Sequence, residues 1–264
     1  MKRIQKYDVN RIITLVVRLI FIVEFIIGIF LGIKNGSGQS FMNAFISVIG
    51  FVLTFIPETV ERALKNRVRF SSFLKCAIVL FIFAAEFLGE IKNYYYTISW
   101  WDTMLHLMSG VILALIGFML VNALNKSDRI TLQLTPLFVA LFAFTFAMAS
   151  GALWEIFEFA GDRLFHMDMQ KYKPIDGVIM QILEDGSTLI TYPPNVGWSY
   201  DAGLIDTMQD IICDFVSAAA VSVLGYITLK ARNTVRKRKT LIETVLSDFP
   251  VPQTESNKEN QSSQ

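Results

Sequence analysis
Long apolar runs alternate with short polar connections along most of the chain, and their length is one that lipid rather than a globular core would set. Six runs, residues 12–32, 41–57, 73–91, 101–121, 136–159 and 204–230, approach the ~20 residues that cross a bilayer as a helix. The second is the shortest. The pattern predicts an all-α fold, a polytopic integral membrane helical bundle of about six transmembrane helices. The first run exceeds the ~7–15 residues of a signal-peptide core and no small-residue cleavage site follows it, so it reads as a retained helix. Strand-like composition is confined to one place. There VIMQILEDGSTLITYPP sets β-rich flanks around Asp185-Gly186, a hairpin turn signal within the connection 160–203. A hairpin packed on helix ends and an irregular loop both satisfy it.

Composition agrees with a membrane chain. Of 264 residues, 53% are hydrophobic, 22 are phenylalanine and mean hydropathy is +0.46, values a soluble domain of this length rarely reaches. Net charge, +1, says nothing about partners, but its distribution does. Seventeen lysines and arginines fall in the N-terminus, the second and fourth connections and the stretch after the last run. Five (Lys34, Lys92, Arg163, Lys171 and Lys173) fall in the alternate connections. The positive-inside bias therefore places both termini in the cytoplasm, with Tyr94, Tyr95, Tyr96, Trp100 and Trp101 as an aromatic belt at the outer interface. Residues 1–72 read as a two-helix membrane hairpin. Residues 73–229 read as a four-helix membrane core with an extracytoplasmic connection, 160–203. Residues 230–264 read as a basic, then disordered, cytoplasmic tail. The basic cluster suits anionic lipid better than nucleic acid, so no nucleic-acid partner is expected. Cys76 and Cys213 fall near opposite faces and read as small buried apolar residues rather than a disulfide or zinc pair. There is no internal repeat and no glycine-rich phosphate loop.

The ionisable residues inside the runs carry the functional signal. Glu86 and Glu90 close the third run, Asp102 and His106 open the fourth, Glu155, Glu158 and Asp162 close the fifth, and Asp206, Asp210 and Asp214 open the sixth. Antiparallel threading brings all four groups to one depth, and spacings of three and four place each group on one helix face. A carboxylate at mid-helix costs ~2.5–3.5 kcal/mol and less toward the interface, so nine of them need compensation. The nearby cations in sequence are Arg163 and His106. Bound metal, protonated carboxyls or a water-filled vestibule would each resolve the deficit. Carboxylates with one imidazole suit a divalent ion such as Mg²⁺, Mn²⁺ or Zn²⁺. The Glu-x-x-His signature of di-iron bundles is absent, since Glu158 stands in the histidine's place.

Plainer roles compete for several of these residues. His106 could be a helix-packing hydrogen bonder, Asp102 and Asp206 could cap their helices, and Glu90 and Asp162 could be ordinary interfacial groups. Ser109-Gly110 and Ser150-Gly151 read as small pairs permitting close helix approach, and Trp154 as interfacial packing. Glu155, Asp210 and Asp214 lie too deep for capping. Arg18 and Glu24, six apart in the first run, each need a partner elsewhere.

At WWDTMLHLMSG, WEIFEFAGD and GLIDTMQDIICDF the sequence resembles an uncharacterised bacterial membrane family of the YjdF type, a likeness that covers about residues 73–225. More distantly it is similar to the VanZ-like membrane proteins, associated with glycopeptide tolerance at the cell envelope. That likeness implies Asp102, His106, Glu155, Asp206 and Asp210 as the shared polar set. The chain departs from it by two additional N-terminal runs and the long connection before the last.

These readings together describe a multi-pass protein of the bacterial cytoplasmic (inner) membrane with a carboxylate- and histidine-rich pocket on the extracytoplasmic side. Asp102, His106, Glu155, Glu158, Asp206 and Asp210 are the candidate metal ligands. Asp102, His106, Glu155 and Asp210 are the candidate catalytic groups of a hydrolase or transferase acting on a membrane lipid or envelope precursor. A cation- or proton-coupled transporter and a non-catalytic lipid-binding scaffold use the same acids. Between Val111 and Leu120, and between Phe138 and Phe146, no residue is ionisable, which favours access from one side.

Overall fold
The computed structural model of the protein describes residues 6–65, 68–125, 134–165, 168–171, 179–182, 188–191 and 202–248. In chain order these form α1 (Lys6–Asn35), α2 (Gly38–Leu53), α3 (Ile56–Ala63), α4 (Ser72–Ile82) with a π-helical continuation (Phe83–Ile91), α5 (Tyr94–Thr97), α6 (Trp101–Asn125) and α7 (Pro136–Phe165). Two short strands, β1 (Ile179–Ile182) and β2 (Thr188–Thr191), and α8 (Ala202–Asp248) complete them. Among the described residues, five helices are long and apolar enough to cross a membrane, and the pair α2–α3, bent by 40°, makes a sixth span if counted as one. The polytopic helical fold expected from the sequence is the fold observed. The strands add one antiparallel hairpin pairing Ile179 with Thr191 and Ile182 with Thr188. The turn signal Asp185-Gly186 lies outside the described residues, as do 172–178, 192–201 and 249–264, including most of the connection 160–203 and the end of the expected tail.

The second span breaks for a local reason. Pro57 sits in the first turn of α3, where it can cap a new helix but cannot donate a hydrogen bond to continue the old one. The carbonyls that the break frees need a donor, and Arg18 of α1 supplies it. Its guanidinium donates to Thr54 Oγ1 and to the Thr54 carbonyl, both at 3.0 Å, and to Glu58 Oε1 at 3.3 Å. It also lies 3.7 Å from the centre of the Phe55 ring. Glu24 pairs with Lys92 at 3.4 Å. Both ionisable residues of the first span thus find partners on other elements.

Helices α6, α7 and α8 pack against one another through small residues: Ala114, Ala147 and Ala218 meet with no exposed surface. Helices α6 and α8 approach closely at Gly110. A Cβ there would overlap the Ser217 hydroxyl and come within 2.8 Å of the Asp214 carbonyl oxygen. Backbone cannot give way as a side chain can. Gly110→Val is therefore expected to cost at least ~1–3 kcal/mol, read as a lowered unfolding temperature in detergent; an unchanged midpoint would mean that the two helices do not meet there. The last helix, 47 residues, runs on past its membrane segment, so Lys230, Arg232, Arg236, Lys237, Arg238 and Lys239 are exposed on a continuous helix. Cys76 and Cys213 are unbridged.

Candidate metal centre
Three helix termini create the site. Helix α6 begins at Trp101, so Asp102 lies in its first turn, where a negative charge complements the helix dipole, and His106 follows one turn later. Glu155 and Glu158 sit toward the end of antiparallel α7. Asp206, Asp210 and Asp214 climb one face of α8 at successive turns.

These faces converge on one imidazole. His106 Nε2 lies 3.7 Å from Asp210 Oδ2, 3.8 Å from Glu155 Oε1 and 3.9 Å from Asp102 Oδ1, and Nδ1 lies 3.5 Å from Asp214 Oδ2. His106, Glu155, Asp210 and Asp214 are buried and Asp102 is half-buried. Asp102, His106 and Asp210 each offer a ligand atom within 4.8 Å of the others.

The remaining candidates are held differently. Glu158, also buried, accepts a hydrogen bond from the indole of Trp154 at 2.9 Å, which gives that tryptophan a polar task beyond packing. Asp206, a turn nearer the start of α8, has one carboxylate oxygen buried without a hydrogen bond. Asp162 accepts the backbone N–H groups of Met169 and Gln170, at 2.6 and 3.0 Å, and so shapes a turn.

Around the site are residues that spacing alone did not select. Ser109, one turn from His106, donates to Asp214 Oδ1 at 2.6 Å. Gly151 of α7 makes room for the same carboxylate, since a Cβ there would overlap Asp214 Oδ2. The available signal was that Asp214 continues the Asp206–Asp210 face and Ser109 the Asp102–His106 face. Tyr95 on α5 packs with Trp101 and Leu105. Burial, and then the carboxylates of Asp102, Glu90, Glu86 and Glu158, push its phenol well above the usual range, so it stays neutral. Gln170 is buried and reaches Thr207 Oγ1 at 3.0 Å and the Gly203 carbonyl at 3.4 Å, tying the turn after α7 to the start of α8. Lys171 pairs with Glu90 at 3.2 Å and lies over the rings of Tyr95 and Tyr96. Burial disfavours its charge, but Glu90 and the neighbouring Tyr96 and Asp168 outweigh that and raise its pKa.

The donor set fits a cation better than it fits a closed hydrogen-bond network. Both oxygens of Glu155 and one each of Asp206, Asp210 and Asp214 are buried with no hydrogen bond. Among the described residues the only basic group within ion-pair distance of Glu155, Asp210 and Asp214 is His106. Ligands ~2.1 Å from a tetrahedral ion stand about 3.4 Å apart. The 3.7–3.9 Å separations around Nε2 need to close by a few tenths of an ångström, and the ligand atoms of Asp102, His106 and Asp210, within 4.8 Å of one another, need to draw together around the ion.

Residues 14–231 match a protein family described as predicted membrane protein (DUF2238). An uncharacterized protein of Thermotoga maritima is 28% identical over 104 residues, which cover 39% of this chain and 51% of that protein. The chain thus spans about half the length of this curated relative. No solved structure matches.

Proposed function
The chain belongs to this family of predicted membrane proteins, and from that premise we propose that it is a divalent-metal-dependent hydrolase or transferase acting on a lipid or cell-envelope precursor. Asp102, His106, Glu155 and Asp210 would hold Mg²⁺, Mn²⁺ or Zn²⁺. The observation that carries the reading is the set of orphaned carboxylate oxygens facing one imidazole in a buried site. A bound divalent ion would activate water and polarise the scissile group.

The chain's own residues supply the rest. Glu155 and Asp210, fixed on facing helices, orient ligand oxygens that cannot reorganise cheaply. Glu158, held by Trp154, is a candidate for proton transfer outside the ligand set, with Asp206 as a further ligand or base. Half-exposed Asp102 marks the open side. Below the cluster the Ala114–Ala147–Ala218 contact and the apolar run Val111–Leu120 favour one-sided access over a path through the bundle. The lysine and arginine bias puts the open side on the extracytoplasmic face of the bacterial cytoplasmic membrane.

The test uses the full chain in nanodiscs, purified without chelator. About one divalent ion per chain by elemental analysis is expected, with a lowered unfolding temperature in EDTA. New product masses should form from a bacterial lipid extract only when metal is present. No metal and no response to EDTA would sink the metal centre. Ion flux in proteoliposomes, abolished by Asp210→Asn, would instead favour a carrier.

A further inference from the structure
Whether His106 can ligate a cation depends on which ring nitrogen carries its proton, and the surroundings of the ring decide that. Neutral imidazole has one N–H and one lone pair. Nε2 faces Asp102, Glu155 and Asp210, and Nδ1 faces Asp214 Oδ2 at 3.5 Å, the shortest of the four approaches. Nδ1 and Asp214 Oδ2 are both buried, and neither has a hydrogen-bond partner among the described residues, so each is the nearest candidate to satisfy the other. One proton on Nδ1 serves both atoms. The opposite tautomer would set a nitrogen lone pair against a carboxylate lone pair and leave both unsatisfied.

Asp214 is not free to turn away. Its Oδ1 takes the Ser109 hydroxyl at 2.6 Å, its Oδ2 rests against Gly151, and its backbone lies against Gly110. Its side chain is 2% exposed. Three small residues on two other helices therefore cradle one carboxylate against one nitrogen.

We infer that Asp214 is the positioning residue of the centre: it keeps the proton on Nδ1 of His106 and so leaves the Nε2 lone pair for a divalent cation. This rests on reading the cluster as a metal centre. Carboxylates that orient a metal-bound histidine in this way typically change metal affinity by 10–100-fold when removed. Asp214→Asn is informative because it keeps the shape. An asparagine can turn its NH₂ toward Nδ1, which then accepts, and the proton moves to Nε2.

The chain contains two histidines, His106 and His166, so ¹⁵N-imidazole labelling gives two ring systems, and His166→Gln assigns them. In the wild type, Nδ1 of His106 should be protonated with and without Zn²⁺, and Nε2 should lack a proton when Zn²⁺ is bound. Asp214→Asn should remove the Nδ1 proton and weaken Zn²⁺ binding about 10–100-fold. Should that variant not fold, Gly151→Ala and Ser109→Ala, which disturb the cradle from outside, should move the same signals. A wild-type ring protonated on Nε2 but not Nδ1 would overturn the inference, as would variants that fold and leave ring and affinity unchanged. The expected ring state in a wild type that takes up no Zn²⁺ would defeat the metal reading and keep the proton assignment.

Discussion
Asp210→Asn is expected to carry at least tenfold less bound divalent cation than the wild type, yet to be the more stable protein once both are stripped with EDTA. One cause produces both results. Asparagine preserves the volume of the side chain but removes a negative charge that, without a cation, has only His106 within ion-pair distance among the described residues. An unsatisfied buried polar group costs about 1–3 kcal/mol and a charged one more, so removing the charge should return stabilisation of that order to the metal-free protein. With the ion present the sign reverses. The wild type gains the linkage free energy of binding, ~2.7 kcal/mol at a hundredfold excess over Kd, and the variant gains little. His106→Ala should also lose the ion but should be the less stable protein in EDTA, because it removes the only base among the described residues within ion-pair distance of Glu155, Asp210 and Asp214 and leaves a cavity. Unfolding temperatures of the three proteins, with Zn²⁺ and with EDTA, contain the whole test. If Asp210→Asn lowers the temperature equally in both conditions, Asp210 is a structural group and the centre is not a metal site.

That crossing of signs explains why the site could be seen in the sequence at all. Charges in apolar helices cost free energy, so their positions are informative, and spacing by three and four then assigns them to faces. Antiparallel threading supplied the common depth of Asp102, Glu155 and Asp210. What spacing could not supply was chemistry within a face. Asp162 follows Glu158 by four residues yet spends its oxygens on the backbone of Met169 and Gln170. Asp214 follows Asp210 by the same interval yet meets the opposite nitrogen of His106. That distinction depends on Gly151 and Ser109, residues of other helices whose smallness reads in sequence only as tolerance of close packing.

The backbone departures were hidden for a related reason. The π-helical turn from Phe83 to Ile91 moves the hydrogen-bond register, as from Lys92 N–H to the Phe87 carbonyl, without altering apolar composition. It carries Glu86 and Glu90, so it helps set where the fourth acidic face points. Pro57 resembled the end of a span and proved to start a second, bent segment. The partner of Arg18 lay 40 residues away on that segment, beyond any local rule.

Arg18→Leu should therefore be among the most damaging substitutions outside the acidic cluster. It would leave the Thr54 carbonyl and hydroxyl without that donor and strand Glu58, whose Oε2 is already buried without a partner. Side-chain exposures of 17% for Arg18 and 31% for Glu58 leave the pair only partly screened by solvent. Breaking such a pair from one side costs about 3–5 kcal/mol when fully buried, and about half that is expected here. Replacing both partners is a different matter, since apolar residues of similar volume in place of a buried ion pair are often neutral or better. Arg18→Leu with Glu58→Leu should thus recover most of the stability lost by Arg18→Leu alone, while the Thr54 carbonyl at the helix break keeps a residual deficit. Unfolding midpoints of the single and double variants in detergent measure the difference. A double variant no more stable than the single would show that Arg18 serves the broken helix and not Glu58. Equal stability of all three proteins would show that the break needs no donor from α1.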